Sequence, residues 1–580
     1  MKFKSLSSTN GTVLALIVIV FTSLVALRDL FPPGYFESHD GIIHVMRLAH
    51  FDEAFKNGQF PVRWLSTWMA GYGSPVFNFI WSFPYYAGSL IHNFGISYQS
   101  SIEVVFFLGY LLSAVFCFIF IKELLHNNLA AFVGGFLYVW APYRFTDIFI
   151  RGALGETTSF LFFPLLFWFV LKTFQSQKKT FPLLISVVFG LFILSHNILS
   201  LLGAGLFFLY VIYLELFKKT KLQVLKSAIF VFLLGLGLSA FYWLPAVLES
   251  DKTEVFKYLR ISFENQFPSL SAIVYSPWQY AYAVPQDQKY SMSFQLGLIQ
   301  LIIQLLILPV IFILKFWKKE RLLMAQTLFF LLIFITSLAM STNVSKVIYE
   351  LIPKSTVINF PWRFLTIATY ALSITAAIFV YAMRKFAPLV GIIIIALSLY
   401  LYFPYSKIVS WRFSATDSEY RSMIKTNINF LPDTEFLPKS ARYLQLIEER
   451  GPASLHSFFE DETSRSIIMD TQNKNLSHTA NITTSQPVEI RANTFYFPGW
   501  RLYVDNRESL INKDQYGLIK FTVTPGSHDI RLVFKNTPVR TLANAISIAT
   551  LILLVLLLIR ENEGRFKGGF LSKFLKIYRV

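Results

Sequence analysis

Four short stretches gather the residues able to do acid–base or phosphate chemistry. The first is Ser38-His39-Asp40-Gly41. A carboxylate at Asp40, with His39 or His44 beside it, suits a general base or a metal ligand. Ser38 is also placed to cap a helix, and Asp40 in its first turn would then simply complement the helix dipole. The second stretch is Pro142-Tyr143-Arg144-Phe145-Thr146-Asp147, followed by Arg151 and Glu156. Guanidinium forks match phosphate oxygens, so two Arg and two acids in one short loop suit a charged lipid headgroup. The plainer reading is that these charges pair with one another. Third, Ser195-His196-Asn197 forms a hairpin tip where His196 and Asn197 could meet a phosphate. Fourth, in Asn359-Phe360-Pro361-Trp362-Arg363, Trp362 has the character of an interfacial anchor. Arg363 would stand where a membrane-bound phosphate lies. None of the four is a strong motif alone, and their convergence on one face carries the weight.

The elements that must position them are apolar helices. Of 580 residues, 54% are hydrophobic and 15% charged, where a soluble protein carries roughly a quarter charged. A span needs about 20 mostly apolar residues. Candidate runs are 12–27, 76–92, 102–121, 128–141, 157–171, 181–195, 198–216, 226–247, 294–314, 322–340, 364–383, 387–404 and 542–559. Lys and Arg mark the cytoplasmic connections. They cluster at Lys122; Lys172, Lys178 and Lys179; Lys218, Lys219 and Lys221; Lys315, Lys318, Lys319 and Arg321; Arg384 and Lys385; and from Arg560 onward. All fall on one side only if 76–92, which contains Pro84, is a surface helix. That leaves twelve spans with both termini inside, and the stretch after Asp40, apolar at Ile43, Met46, Leu48, Phe51 and Phe55, lying on the membrane. Loops 28–101 and 142–156 then share the outer face with the soluble segment 405–541.

The fold class expected is a polytopic α-helical membrane protein with a carboxyl-terminal β-rich outer module. We divide the chain into a multi-span domain at 1–404, an α+β module at 405–541 that is sandwich-like over 476–536, and a last span with basic tail at 542–580. Strands are expected at 478–484, 488–496, 500–504, 518–524 and 527–535, between turn formers such as Pro498-Gly499 and Pro525-Gly526. Phe495, Tyr496, Phe497 and Trp500 could stack on sugars, although strand aromatics usually pack a core.

Composition excludes several classes. One Cys rules out a disulfide framework or thiolate cluster. The 52 basic against 34 acidic residues reflect topology, and no motif supports nucleic-acid binding. No phosphate-cradling glycine loop or dinucleotide fingerprint supports a soluble nucleotide donor. The spans are nearly free of ionisable groups, which weighs against an ion-coupled pump.

The arrangement of the first span, the acidic loop around His39-Asp40 and the Arg144–Glu156 loop resembles the GT-C superfamily of multi-span glycosyltransferases. Ser38-His39-Asp40-Gly41, Leu194-Ser195-His196-Asn197 and Phe360-Pro361-Trp362-Arg363-Phe364-Leu365 are similar to bacterial membrane proteins labelled pyruvoyl-tetrahydropterin-synthase-related. Tyr496-Phe497-Pro498-Gly499-Trp500, Val504-Asp505 and Thr537-Pro538 resemble lipoteichoic-acid glycosylating membrane proteins. The label implies no pterin chemistry, and nothing in the sequence suggests any.

The resemblance implies transfer of a sugar from a polyprenyl-phosphate carrier to an envelope glycan, lipid or protein at the outer face of a bacterial inner membrane. It places Asp40 as base, with a divalent metal possible at Asp40 and Asp147. His39, Arg144, Asp147, Arg151, Glu156, His196, Asn197, Trp362 and Arg363 would bind substrate. The alternatives are a transporter of polysaccharide or lipid-linked sugar, or a non-catalytic glycan-binding membrane protein.

Overall fold

The computed structural model describes residues 9–175, 180–218, 222–255, 263–283, 288–316, 321–351, 360–425, 434–454, 457–474 and 476–562. Asn359, Lys178, Lys179, Lys219, Lys221, Lys318, Lys319 and the basic tail beyond Asn562 lie outside them.

Eight helices among the described residues are long and apolar enough to cross a membrane. They are Thr9–Ala26, Tyr98–Leu125, Leu154–Gln175, Asn197–Phe217, Arg321–Ser341, Pro361–Ala382, Arg384–Ser406 and Pro538–Glu561. Three shorter apolar helices, Asn128–Val139, Phe181–Ile193 and Leu298–Phe312, stand at further expected positions. The run 226–247 departs from expectation. It forms two helices, Val224–Leu238 and Ala240–Leu248, that meet at 76°. Local chemistry accounts for the bend: Gly235 and Gly237 weaken the helix, and the Ser239 hydroxyl bonds back to the Gly235 carbonyl at 2.9 Å.

Exposure follows what a lipid solvent dictates. Val13, Ile17 and Phe21 on the first helix, and Leu551 and Ile552 on the last, face outward. With hydrocarbon outside, apolar side chains gain nothing by turning inward. Two helices are enclosed instead: 94% of the apolar window of Leu154–Gln175 and 89% of that of Pro361–Ala382 are buried. Their first turns carry Glu156 and Arg363, so the site is anchored in the two most enclosed spans among the described residues.

The stretch after Asp40 is a helix, Gly41–Lys56, but it does not lie open on a membrane surface. Val45, Leu48 and Phe51 are fully enclosed, and the polar side is drawn inward as well. Asp52 on that side is buried and accepts hydrogen bonds from Ser89 at 2.7 Å, Lys56 at 2.7 Å and the Tyr98 hydroxyl at 3.1 Å. The run 76–92 breaks into a 3-10 turn, Val76–Asn78, and a helix of 10 residues, Phe83–His92.

The β-rich region is built of two antiparallel sheets, of five and four strands. The larger has the order Ser466–Lys474, Ser477–Thr484, Gly526–Phe534, Trp500–Val504, Arg507–Ser509; the smaller, Phe459–Asp461, Val488–Phe495, Leu518–Val523, Asn512–Lys513. Ala480 and Ile482 alternate inward along one strand, opposite Ile490, Ala492 and Phe521 of the other sheet, as the period of two requires.

Phe497 and Trp500 pack a core and dock this region on the helical part. Phe497 stacks on Trp64 at 6.3 Å, and Trp500 meets the same ring edge-on at 5.7 Å. Gly499 between them has φ +120°, and any Cβ there would stand 2.6 Å from the Lys535 carbonyl oxygen. A buried charge cluster completes the junction. Glu249, just past the bent helix, accepts from Arg540 Nε at 2.9 Å, Thr537 at 2.5 Å and Asn78 at 2.9 Å. Arg63 joins through Asn78 at 3.2 Å and Asn544 at 2.9 Å. Thr537 thus ties the start of the last helix to the end of helix Ala240–Leu248.

Candidate functional site

A cavity of about 1010 Å³ opens at one end of the bundle. Asp40, His44, Arg47, Arg151, Glu156, His196, Asn197 and Arg363 line its polar end, and Phe360, Thr434, Glu435 and Phe436 also line it.

Asp40 is held there by two crossing loops. The backbone N–H of His39 donates to Ile150 and that of Asp40 to Arg151, both at 2.9 Å. The crossing needs glycine at Gly152, whose φ is +63° and where a Cβ would come within 2.5 Å of Ser38 Oγ. Asp40 immediately precedes the Gly41–Lys56 helix and its carbonyl receives the His44 N–H at 3.1 Å, but its carboxylate makes no capping bond. The carboxylate is therefore not spent on the helix end and faces the cavity. The side chain is exposed to the cavity, but the protein packed around it raises its pKa from the ordinary 3.8, while Arg151, Arg47 and Arg363 pull the other way.

Glu156 organises the cations opposite. Arg151 grips it with both terminal nitrogens, at 2.6 and 2.8 Å, and Arg363 adds an Nε bond at 2.8 Å. His196 Nε2 stands 3.8 Å from the same carboxylate. Burial and the Arg363 charge hold the His196 pKa down to about 3, so its ring is neutral at ordinary pH. The Arg151 guanidinium lies 4.4 Å over the Trp362 ring, and Arg363 lies 4.8 Å over Phe360. Trp362 is 2% exposed and is not an interfacial anchor; it is the plate on which Arg151 rests. Asn197 accepts a hydrogen bond from Tyr242 at 2.5 Å, which ties the hairpin tip to the bent helix.

Besides Trp362, which stands behind Arg151, three of the sequence-designated residues do not reach the cavity wall. His39 turns away, bonding the Ala281 carbonyl through Nε2 at 2.9 Å and stacking on Tyr282. Arg144 is buried over Phe160 at 3.7 Å, between Tyr110 and Tyr138, and donates to Ser113 at 3.1 Å. The reason lies in its neighbours: the loop is a helical turn, Pro142–Phe145, followed by a π-helical turn, Thr146–Ile150, which sends Arg144 inward and Arg151 to the cavity. Asp147 is buried behind Arg151 and bonded to it. Burial and the nearby Glu156 charge push the Asp147 carboxyl up.

The sequence reading passed over Arg47, which lines the cavity and stands 6.0 Å from the Phe436 ring. The signal was available: Asp40, His44 and Arg47 are spaced four and three apart, which puts them on one helix face.

A metal ion does not fit this donor set. Among the described residues no three His, Cys, Asp or Glu side chains come together as ligands. Asp147 is held by Arg151, and Asp40 is surrounded by three guanidinium groups that would repel a cation.

Beyond the polar end the cavity continues along apolar walls. Phe189, Ile193, Leu201, Ala204, Phe232, Leu236, Trp243 and Val247 supply them, from the helices Thr180–Ile193, Asn197–Lys218 and the bent pair. Leu201 and Val247 are 60% and 62% exposed, so this groove is open to the surroundings of the bundle.

The profile of the family described as "6-pyruvoyl-tetrahydropterin synthase related domain; membrane protein" matches residues 77–409, more than half of the chain. The chain belongs to this family. The family match covers Arg151, Glu156, His196 and Arg363, while Asp40 and Arg47 precede it. An uncharacterized protein of Lactococcus lactis subsp. cremoris is 23% identical over 260 residues, 43% of this chain and 42% of the relative. The chain thus matches less than half the length of that relative. Among solved structures, ArnT from Cupriavidus metallidurans bound to undecaprenyl phosphate is 14% identical, with a TM-score of 0.39 over 73% of this chain and 70% of ArnT. The Archaeoglobus fulgidus oligosaccharyltransferase in complex with Zn and sulfate is 14% identical, with a TM-score of 0.39 over 74% of this chain and 59% of its own.

Proposed function

We propose that this membrane protein is a GT-C-type glycosyltransferase that moves a sugar from a polyprenyl-phosphate carrier to an envelope glycan, lipid or protein. The observation that carries the reading is the shape of one cavity. Its polar end sets the Asp40 carboxylate against Arg47, Arg151 and Arg363, and its remainder is an apolar groove between helices. A phosphodiester with a long hydrocarbon tail has that division of polarity, whereas a soluble nucleotide sugar does not.

Asp40 takes the proton from an acceptor hydroxyl as the hydroxyl oxygen attacks the anomeric carbon. The bond from that carbon to the phosphate oxygen breaks, and the electron pair leaves with the lipid phosphate. Arg151 and Arg363, preset by Glu156, meet the growing negative charge, with Arg47 on the Asp40 side. His196 and Asn197 line the phosphate side, while Arg144 and Asp147 set the loop from behind. Trp362 supports Arg151 and His39 holds the acceptor side of Asp40. No step calls for a metal.

In this reading the multi-span domain is 1–404, the module 405–541 stands outside a bacterial inner membrane, and 542–580 returns the chain to the cytoplasm. The test is purified protein with a panel of polyprenyl-phosphate sugars, followed for release of the sugar from the lipid. Asp40→Asn is expected to lower turnover by on the order of 100-fold or more while leaving donor binding intact. Turnover by Asp40→Asn at the wild-type rate overturns the assignment.

A further inference from the structure

His39 sits beside the proposed base yet faces another surface. Its ring stacks on Tyr282 with centroids 5.2 Å apart and an interplanar angle of 24°. The Tyr280 ring stands 5.7 Å from His39, and its hydroxyl donates to Glu37 at 3.1 Å. Tyr282 is 71% exposed, so the face turned from His39 is open. His39 itself is pinned by its 2.9 Å bond to Ala281, and burial holds its pKa down to about 4, leaving a neutral ring.

A half-buried aromatic nearby, Trp278, has a different duty. Trp278 donates its Nε1 hydrogen to the Lys407 carbonyl and packs on Tyr405, next to the end of the Arg384–Ser406 span. That is the position of an interfacial anchor. The Tyr282–His39 stack makes no such link. It adjoins Asp40, whose charge bears on Tyr280.

The stack and the apolar groove come from different parts of the chain. Segments 37–39 and 280–282 build the first, and helices between 180 and 248 build the second. Asp40 lines the groove's polar end and directly follows His39 of the stack in the chain. A donor held in the groove leaves the acceptor to arrive from the other side of the carboxylate, where a neutral ring pair offers apolar faces bordered by hydroxyl and carboxylate oxygen. Pyranose rings present one apolar C–H face and a rim of hydroxyls, which matches such a surface.

We propose that Tyr282, backed by His39 and flanked by Tyr280 and Glu37, is a subsite for a pyranose ring of a neutral polysaccharide acceptor. The proposal rests on the glycosyl-transfer reading and narrows its acceptor to a glycan.

The test uses the full chain in detergent with maltohexaose and chitohexaose as probes, read by saturation-transfer NMR. Wild type and Tyr282→Phe are expected to pass saturation to ring protons of at least one probe. Tyr282→Ala, a change at an exposed side chain, is expected to raise the dissociation constant at least ~3-fold. No transfer to either probe, or equal binding by Tyr282→Ala, overturns the subsite. A parallel assay follows release of glucose from undecaprenyl-phosphate glucose into water without acceptor, which Tyr282→Ala leaves unchanged. Oligosaccharide binding without any donor turnover in wild type sinks the transferase reading and leaves the glycan site standing.

Discussion

Arg363 Nε donates to Glu156 at 2.8 Å across 207 positions of chain, joining the first turns of the two most enclosed helices. The same carboxylate holds Arg151 in a fork, so one buried acid sets the spacing of two guanidinium groups at the cavity. Both oxygens of Glu156 are engaged by these arginines, which fits the organising part proposed for it.

Glu156→Gln keeps the shape and removes the charge that orients both arginines. Sugar release from a polyprenyl-phosphate donor is expected to fall on the order of 100-fold, with the loss in kcat exceeding any change in KM. A kcat within twofold of wild type would show that the arginines find their places unaided.

The Asp40 pKa lies above the ordinary Asp value, chiefly through enclosure. A base works deprotonated, so kcat/KM is expected to fall as pH drops through that raised value, with its acid limb above that of an ordinary Asp. His39 and His196, held near 4 and 3, supply no limb near pH 6 to 7. Measured pH profiles of wild type and Asp40→Glu check this: the limb moves with Asp40→Glu and stays put in His196→Gln.

Arg363→Lys retains charge but loses the planar Nε bond to Glu156. Donor affinity is expected to fall between those of wild type and Arg363→Ala. Equal affinity of the lysine variant and wild type, by competition with undecaprenyl phosphate, would reduce the role of Arg363 to simple charge.

Ala204 lines the apolar groove and is 9% exposed. Ala204→Trp is expected to raise KM for a long-chain polyprenyl-phosphate donor while sparing a short-chain analogue. The two KM values rising together would place the lipid elsewhere.

Glu249 and Arg540 form a buried pair 291 positions apart. Breaking it by Arg540→Met strands a buried carboxylate, at a cost of about 3–5 kcal/mol. The double variant with Glu249→Gln is expected to recover most of the lost thermal stability, since neither charge is then left alone. A double variant no more stable than the single one argues against a direct pair.

The bundle was legible because hydrophobic runs of span length report a helix in lipid without further context. The strands were legible too, since Pro498-Gly499 and Pro525-Gly526 fall between short alternating segments. The bend at Ser239 was not read, because a window of average hydropathy does not see a hydroxyl bonding back to its own helix. At the site, residue type pointed to the right loops but not to side-chain direction. Arg144 and Arg151 look alike in sequence, and only the intervening π-helical turn sends one into an aromatic box and the other to the cavity. Arg47 was missed because the helix carrying it was read as a surface element, whereas tertiary packing buries both of its sides.

The buried pair at the bend also orders the birth of the molecule. Glu249 emerges from the ribosome long before Arg540 exists, and until then only Asn78 and Arg63 of its partners have been made. The carboxylate at the end of helix Ala240–Leu248 therefore gains its full set of partners only when the last helix supplies Thr537 and Arg540. One wall of the cavity is thus completed by residues from near the end of the chain.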